Sequence, residues 1–294
     1  MIVGKEFTME NDFFAIEKYI ILQGDRVFID ICKSGCGSSC KYCYSPYRND
    51  AQELLSLEEI KHICRWIEQK YMGRIRIISL CPNTEPLKSF NSACLVLYIV
   101  EFFTKLSCKI QISTKEKLDV DFLEKLNRIS KNNVFINISI PLIERSKNIE
   151  PYAASVEERF ENFKSLKRFN KILSCLYIKP FFSYIDDYQK YIEYINKLDI
   201  NCVCVGFNFL NKADIPCVSL YNEDVALQNF NLQKDEMLNF ISLVRKETRA
   251  KVFASSVCYI YHCNDEGCPL SLHKYSGLLC EDCILEMVSY ENNK

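Results

Sequence analysis

Four of the seventeen cysteines lie close together, in Cys32-Lys-Ser-Gly-Cys36-Gly-Ser-Ser-Cys40-Lys-Tyr42-Cys43. Thiolates at successive intervals of four and three residues can converge on one metal centre from a single loop. Gly35 and Gly37 give that loop the freedom to fold around the centre. A mononuclear zinc site usually takes four protein ligands in paired motifs. Three thiolates around a [4Fe–4S] cube instead leave one iron open to bind another group. Cys32-Cys36-Cys40 is a competing register, but it leaves Cys43 unused and lacks the aromatic residue before the last cysteine. The bland alternative is a zinc knuckle.

A second concentration reads Cys258-x4-Cys263-x4-Cys268-x11-Cys280-x2-Cys283, with His262 and His273 interleaved. Two metal readings compete for it. One is an auxiliary iron–sulfur cluster. The other is a zinc site from Cys263, Cys268, Cys280 and Cys283, two pairs separated by a ribbon-length gap. The remaining eight cysteines are scattered, mostly through apolar runs where cysteine behaves as a small buried hydrophobe.

The elements that must position the first cluster are legible from periodicity. Strand-like runs at 26–32, 74–80, 109–114, 134–140, 172–179 and 202–207 are apolar on both faces, as buried parallel strands are. Helical patterns fall between them, at 57–71, 93–106, 119–129, 156–169, 187–198 and 234–246. Ser56 with Glu59 three residues on resembles a capping box. Ser155 is followed by Glu157 and Glu158, acids that favour a first helical turn. Six strand–helix units in succession predict an α/β fold, a partial (β/α)6 TIM-type barrel with a small cysteine-rich C-terminal extension. The expected division is an N-terminal extension over 1–25, the barrel over 26–250 and the extension over 251–294, with a further short strand at 251–255. The Cys36–Cys43 loop follows the first strand, where such a barrel carries its chemistry.

Cys36-x3-Cys40-x2-Cys43, with Tyr42 before the last cysteine, resembles the signature loop of the radical S-adenosylmethionine (SAM) superfamily. The resemblance implies that the open iron chelates the amino and carboxylate groups of SAM. Reductive cleavage would then give a 5′-deoxyadenosyl radical that abstracts hydrogen from a substrate. Asn83-Thr84-Glu85-Pro86 occupies the place of the family's Gly-Gly-Glu-Pro stretch, which holds the SAM amino group, although its glycines are missing here. Ser113-Thr114-Lys115 matches the position of polar contacts to the SAM ribose or carboxylate. Asn137 and Ser139 alternate onto one strand face, where a hydroxyl would meet the ribose.

Ile149-Glu150-Pro151 through Ser155-Val-Glu-Glu158-Arg159-Phe160 looks like a segment of the spore photoproduct lyase-like branch. On that resemblance Arg159 would bind the SAM carboxylate. Ile178-Lys179-Pro180 and Val205-Gly206-Phe207 stand where the family cradles adenine, and Gly206 permits close approach.

Composition narrows the classes. The chain has 294 residues, 48% hydrophobic, with a net charge of −1. That charge gives no basic surface from which to argue nucleic-acid binding. The lysine-rich stretch 164–171 reads as a solvated helix face. No signal peptide is evident, and the most apolar stretch, 93–103, is too short to span a bilayer. A cytoplasmic protein with no membrane partner is expected, in whose reducing setting clustered cysteines point to metal.

The expected electron donor is a flavodoxin or ferredoxin. The expected substrate is a small molecule, or a peptide or cofactor precursor, ahead of a nucleic acid. A nucleic-acid-modifying or DNA-repair enzyme of the photoproduct lyase type is the alternative. A non-catalytic zinc-binding module is the rival of another class.

Overall fold

The computed structural model describes residues 16–43, 51–71, 73–182, 188–206, 230–253 and 256–262. Ten strands lie among them: β1 (Ile20–Gln23), β2 (Arg26–Ile29), β3 (Cys32–Ser34), β4 (Glu53–Leu54), β5 (Ile77–Leu80), β6 (Lys109–Thr114), β7 (Val134–Ser139), β8 (Ile172–Ile178), β9 (Cys202–Val205) and β10 (Lys251–Phe253). The helices are α1 (Leu57–Tyr71), α2 (Phe90–Lys105), α3 (Val120–Ile129), α4 (Ser146–Ile149), α5 (Val156–Leu166), α6 (Tyr188–Leu198), α7 (Phe230–Glu247) and α8 (Ser256–His262).

One eight-stranded sheet runs in the order β1-β2-β5-β6-β7-β8-β9-β10. Every neighbouring pair from β2 to β10 is parallel, and β1 joins β2 antiparallel. The six expected strands are all present as a mostly parallel barrel sheet with helical crossovers. The sheet also takes in Ile20–Gln23 and Lys251–Phe253, so divisions drawn at residues 25 and 250 fall inside it. Gly24, at a φ of 64°, makes the tight turn between β1 and β2. After Ile29 the first expected strand leaves the sheet, and Cys32–Ser34 pairs with β4 in a separate two-stranded ribbon.

The strands alternate between two apolar layers. Val27, Ile29, Ile78, Leu80, Ile110, Ile112, Ile136 and Ile138 point outward and pack with the helices in the larger core. Ile77, Phe135, Cys175, Cys202 and Cys204 point inward and form a second cluster with Phe253 and the side chains of α8. Tyr259 meets Phe135 edge to face, with ring centroids 5.6 Å apart. The Tyr261 hydroxyl donates to Asp25 Oδ2 at 2.9 Å, at the N-terminal end of β2. Helix α8 therefore closes the concave face of the sheet from below.

Local signals set the helix starts. Ser56 and Glu59 form the reciprocal cap that their spacing predicts, at 2.7 and 3.2 Å. Ser155 and Glu158 do the same at the start of α5. Ser89 caps α2 three residues earlier than periodicity alone suggests. Among the described residues no helix is long and apolar enough to cross a membrane.

Phe135→Ala would leave a cavity in the inner cluster beside Tyr259. We expect a stability loss of roughly 3–5 kcal/mol, read from the denaturant midpoint of the apo-protein.

Candidate functional site

A cavity of about 420 Å³ opens on the concave face. Cys36, Ser38, Cys40, Tyr42 and Cys43 line one end, on the loop that follows β3. Asn83, Thr84, Glu85, Ser113, Lys115 and Ser139 line its walls. The cavity thus brings together the three loop cysteines and most of the polar positions predicted from sequence.

The loop's shape depends on backbone conformations that few residues accept. Gly35, Gly37 and Ser39 have φ values of 74°, 72° and 47°. At the two glycines a side chain would be strained. The aliphatic stem of Lys88 packs beneath Gly37, and the Lys88 ammonium pairs with Glu116 at 2.7 Å.

The loop is fastened from below. Lys41 N donates to Ile149 O at 2.9 Å. The Tyr42 hydroxyl donates to the Glu150 carboxylate. Glu150 also takes a hydrogen bond from Ser146 at 3.2 Å and an ion pair from Arg159 at 2.7 Å. Arg159 donates in addition to the carbonyl of Ser139, at 2.9 Å, and to the Ser146 hydroxyl. The side chains of Glu150 and Arg159 are 0% exposed. Burial, then Glu150 and Cys40, hold the Tyr42 phenol above its ordinary pKa, so it stays protonated and donates.

Arg159 therefore departs from expectation. It does not line the cavity, and its guanidinium faces Glu150 rather than open space. Glu150, quoted in the sequence only as part of a motif, supplies the buried anion that draws it inward. Pro86 and Gly206 also lie outside the lining. Gly206 donates to the carbonyl of Ile178 at 3.2 Å and accepts from Phe181 at 2.8 Å.

The glycine-less loop after β5 is shaped by side chains. Asp30, just past β2, accepts from Asn83 Nδ2 at 2.9 Å and from the Thr84 hydroxyl at 3.1 Å. Burial raises the Asp30 carboxyl above its ordinary range, against those two bonds. Cys81 turns the chain at a φ of 53°. Glu85 accepts from Thr114 at 2.5 Å and from the amides of Lys115 and Leu87 at 2.8 and 3.1 Å. Its role here is to brace two loops against each other.

Lys115 is the cation at this end. Burial works against its charge, but Cys40, Glu150 and Glu85 outweigh burial and hold its pKa above the ordinary lysine value. Burial pushes the Cys40 thiol up to about 12, with Lys115 opposing. Bound iron deprotonates a coordinating thiol outright, so iron and fold act in opposite directions there.

Sequence reasoning missed Arg26, Gln111, Tyr177 and Cys204 deeper in the cavity, and placed Lys179 there only as part of the Ile178-Lys179-Pro180 segment expected at the adenine. The available signal was period two. Gln111, Ser113 and Lys115 alternate along one strand, and Tyr177 and Lys179 along another, which puts polar groups on the inward face of otherwise apolar runs.

Of the tail cysteines, Cys258 is described. It is buried in the inner apolar cluster on α8. Cys263, Cys268, Cys280 and Cys283 lie outside the described residues, as do Phe207 and His273.

The donor set fits an iron–sulfur cube. Cys36 and Cys43 both act electrostatically on Cys40. Yet no group of three or more His, Cys, Asp or Glu among the described residues is spaced to hold a single metal ion. A cube takes one thiolate at each of several corners and tolerates wider separation. Ser38 Oγ is buried in the same loop with no hydrogen-bond partner among the described residues, a donor available to a group bound there.

A parallel barrel sheet with three cysteines on the loop after its first strands is the arrangement expected of an iron–sulfur enzyme that works at the strand C-termini. The radical SAM superfamily model matches residues 30–195, more than half of the chain. The chain belongs to the radical SAM superfamily. It is an enzyme of that class, and membership implies cleavage of SAM by an iron–sulfur cluster.

Among solved structures it is similar to a doubly substituted spore photoproduct lyase with AdoMet and a dinucleoside spore photoproduct bound. The identity is 13%, covering 77% of this chain and 75% of that one, with a TM-score of 0.56. A singly substituted, cysteine-to-serine form of spore photoproduct lyase matches at 12% identity over 86% and 87%, also at 0.56. SuiB of Streptococcus suis matches at 15% identity over 84% of this chain and 54% of that one, at 0.49. At these identities the likeness is one of fold. No curated protein matches the sequence.

The buried pair yields a sharp expectation. Arg159→Met leaves Glu150 charged and unpaired, and should cost roughly 3–5 kcal/mol in urea unfolding. Removing both charges in Glu150→Leu/Arg159→Met should cost clearly less than the two single changes summed.

Proposed function

We propose that Cys36, Cys40 and Cys43 hold the catalytic [4Fe–4S] cluster, and that SAM binds beside it in the same cavity. The enzyme would act on a small molecule or a peptide. The observation that carries this reading is the single cavity shared by the three loop thiols and by Asn83, Thr84, Glu85, Ser113, Lys115 and Ser139. When bound and reduced, the cluster supplies the electron that cleaves SAM and so provides the radical for hydrogen abstraction.

This chain's residues do the rest. Lys115 offers a fixed positive charge near the loop thiols, suited to the SAM carboxylate. Asn83 and Thr84, tied to Asp30, set the wall that meets the SAM amino group. Ser139 presents a hydroxyl toward the ribose. Tyr42 anchors the loop through Glu150, so Arg159 acts as a positioning residue behind the site. The described walls are mostly apolar or hydrogen-bonded within the protein, which limits water beside a reactive radical.

Radical SAM enzymes require an electron donor, and a flavodoxin or ferredoxin is the proposed one. A balanced net charge and a cavity floored by α8 support a small-molecule or peptide substrate over nucleic acid. Cys263, Cys268, Cys280 and Cys283 are proposed to bind an auxiliary iron–sulfur cluster or zinc, supported by their number and spacing, whereas Cys258 is packed in the inner apolar cluster.

Anaerobic reconstitution tests the central claim. The brown wild-type protein should release 5′-deoxyadenosine from SAM with dithionite. Cys40→Ala should lose that activity by several orders of magnitude, together with about four irons per chain. A colourless protein holding zinc alone and inert toward SAM would reject the proposal.

A further inference from the structure

The deep end of the cavity carries a second polar constellation that neither the cluster nor the SAM assignment uses. Arg26, at the start of β2, donates from Nε to the Ser79 hydroxyl at 2.7 Å and from Nη2 to Gln111 Oε1. The Ser79 hydroxyl donates to the same Gln111 oxygen at 3.0 Å. Phe28 lies beneath the guanidinium, 4.1 Å from its ring centroid. Three strands therefore fix the orientation of both Arg26 and Gln111. The pairing register puts Phe28, Ser79 and Gln111 side by side. That is one inward step below Cys81 and Ser113, on the side away from the loop thiols.

Two features of this constellation are incomplete. Gln111 Nε2 is buried and has no hydrogen-bond partner among the described residues, in a side chain only 2% exposed that lines the cavity. A buried amide donor left unmet costs on the order of 1–3 kcal/mol, which a bound acceptor would recover. Arg26 carries a full charge whose hydrogen bonds go to neutral groups. The electrostatic neighbours that bear on it are Tyr177 and Cys204, neither of them a carboxylate.

Lys179 lines the same cavity, and Arg26 and Cys204 act on it electrostatically. Burial draws Arg26 down to about 10 and Lys179 to about 8. Cys204, pushed by burial up to about 12, stays a neutral thiol at neutral pH. The floor below is closed by Tyr259 and Tyr261 of α8.

The geometry points to an anion subsite at the floor of the cavity, in which Arg26 and Gln111 Nε2, with Lys179 beside them, seat a carboxylate or phosphate carried by the substrate. A planar guanidinium next to an amide N–H presents parallel donors to two oxygens of one such group. Seated there, the substrate lies on the far side of SAM from the loop thiols, with its remainder directed toward the SAM ribose. The proposal rests on the reading that SAM takes the thiol end of the cavity.

Succinate and inorganic phosphate, titrated separately into the reconstituted full-length protein with SAM present, test it. Ionic strength is held constant with chloride, and the thermal midpoint is followed. At least one of the two anions should raise the midpoint saturably. Arg26→Gln should weaken the apparent affinity at least about tenfold, and Gln111→Leu should weaken it by a smaller factor. If Arg26→Gln does not fold, Arg26→Lys keeps the charge and loses the fork, and should still weaken binding.

Saturation by succinate alone assigns a carboxylate, and by phosphate alone a phosphate. No saturable response to either anion at tens of millimolar in the wild type overturns the subsite. An unchanged titration in the variants does the same. SAM cleavage by the wild type is scored separately. A protein that cannot cleave SAM, yet binds the anion through Arg26, rejects the reading of the thiol end and leaves the subsite standing.

Discussion

The site hangs on one buried ion pair. Glu150 and Arg159 sit behind the cysteine loop, both fully shielded from solvent. Burying two charges costs several kcal/mol per ion, and Coulomb attraction alone seldom returns it. What makes the pair tolerable is the number of further bonds it collects. Glu150 accepts from Tyr42 and Ser146 as well as Arg159, and Arg159 donates to Ser139 O and Ser146. Those bonds run to the cysteine loop, to the end of β7 and to the short helix α4. The pair does little as a net source of stability. Its effect is to allow only one placement of the loop against the sheet, because any other strands a charge. Arg159 Nε remains buried without a partner among the described residues, a residual cost set against that specificity.

The other carboxylates at the cavity mouth follow the same logic. Asp30 gathers Asn83 and Thr84, and Glu85 gathers Thr114 with the amides of Lys115 and Leu87. Each acid is saturated by protein donors and shapes a loop. Glu85 lines the cavity, but its carboxylate oxygens are engaged by Thr114 and by the amides of Lys115 and Leu87. Cations lie at both ends, Lys115 near the thiols and Arg26 with Lys179 at depth. The polarity of the cavity is thus set by anions bonded to protein donors and by cations among its lining residues.

Legibility in the sequence followed the periodicities. Continuous β-branched runs located the six central strands, the Ser56–Glu59 spacing marked the start of α1, and the acids after Ser155 marked that of α5. The cysteine loop was readable because its ligands are close in sequence and its glycines stand where φ must be positive. Arg159 was readable as a motif member but not as to its direction. Whether an arginine faces a ligand or a buried glutamate depends on Glu150, nine residues earlier, and on Ser139 across the sheet. Arg26, Ser79 and Gln111 were harder still. They meet because three separate strands register their inward faces together, and no single segment carries that information. Asp30 was missed for a similar reason, since its partners lie more than fifty residues away.

Helix α8 changes how the C-terminal part of the chain relates to the barrel. Cysteine count and spacing set residues beyond 250 apart as a metal-binding extension. Yet β10 completes the parallel sheet against β9, and α8 supplies Val257, Tyr259, Ile260 and Tyr261 to the inner cluster. Without them Ile77, Phe135, Cys202 and Cys204 would face water along the concave side. A sheet with one face packed by helices cannot leave the other face apolar and open. The same short helix places Ser256 and Val257 in the cavity lining and Tyr261 against Asp25 at the base. The stretch leading to the remaining cysteines therefore forms the floor on which a substrate would rest.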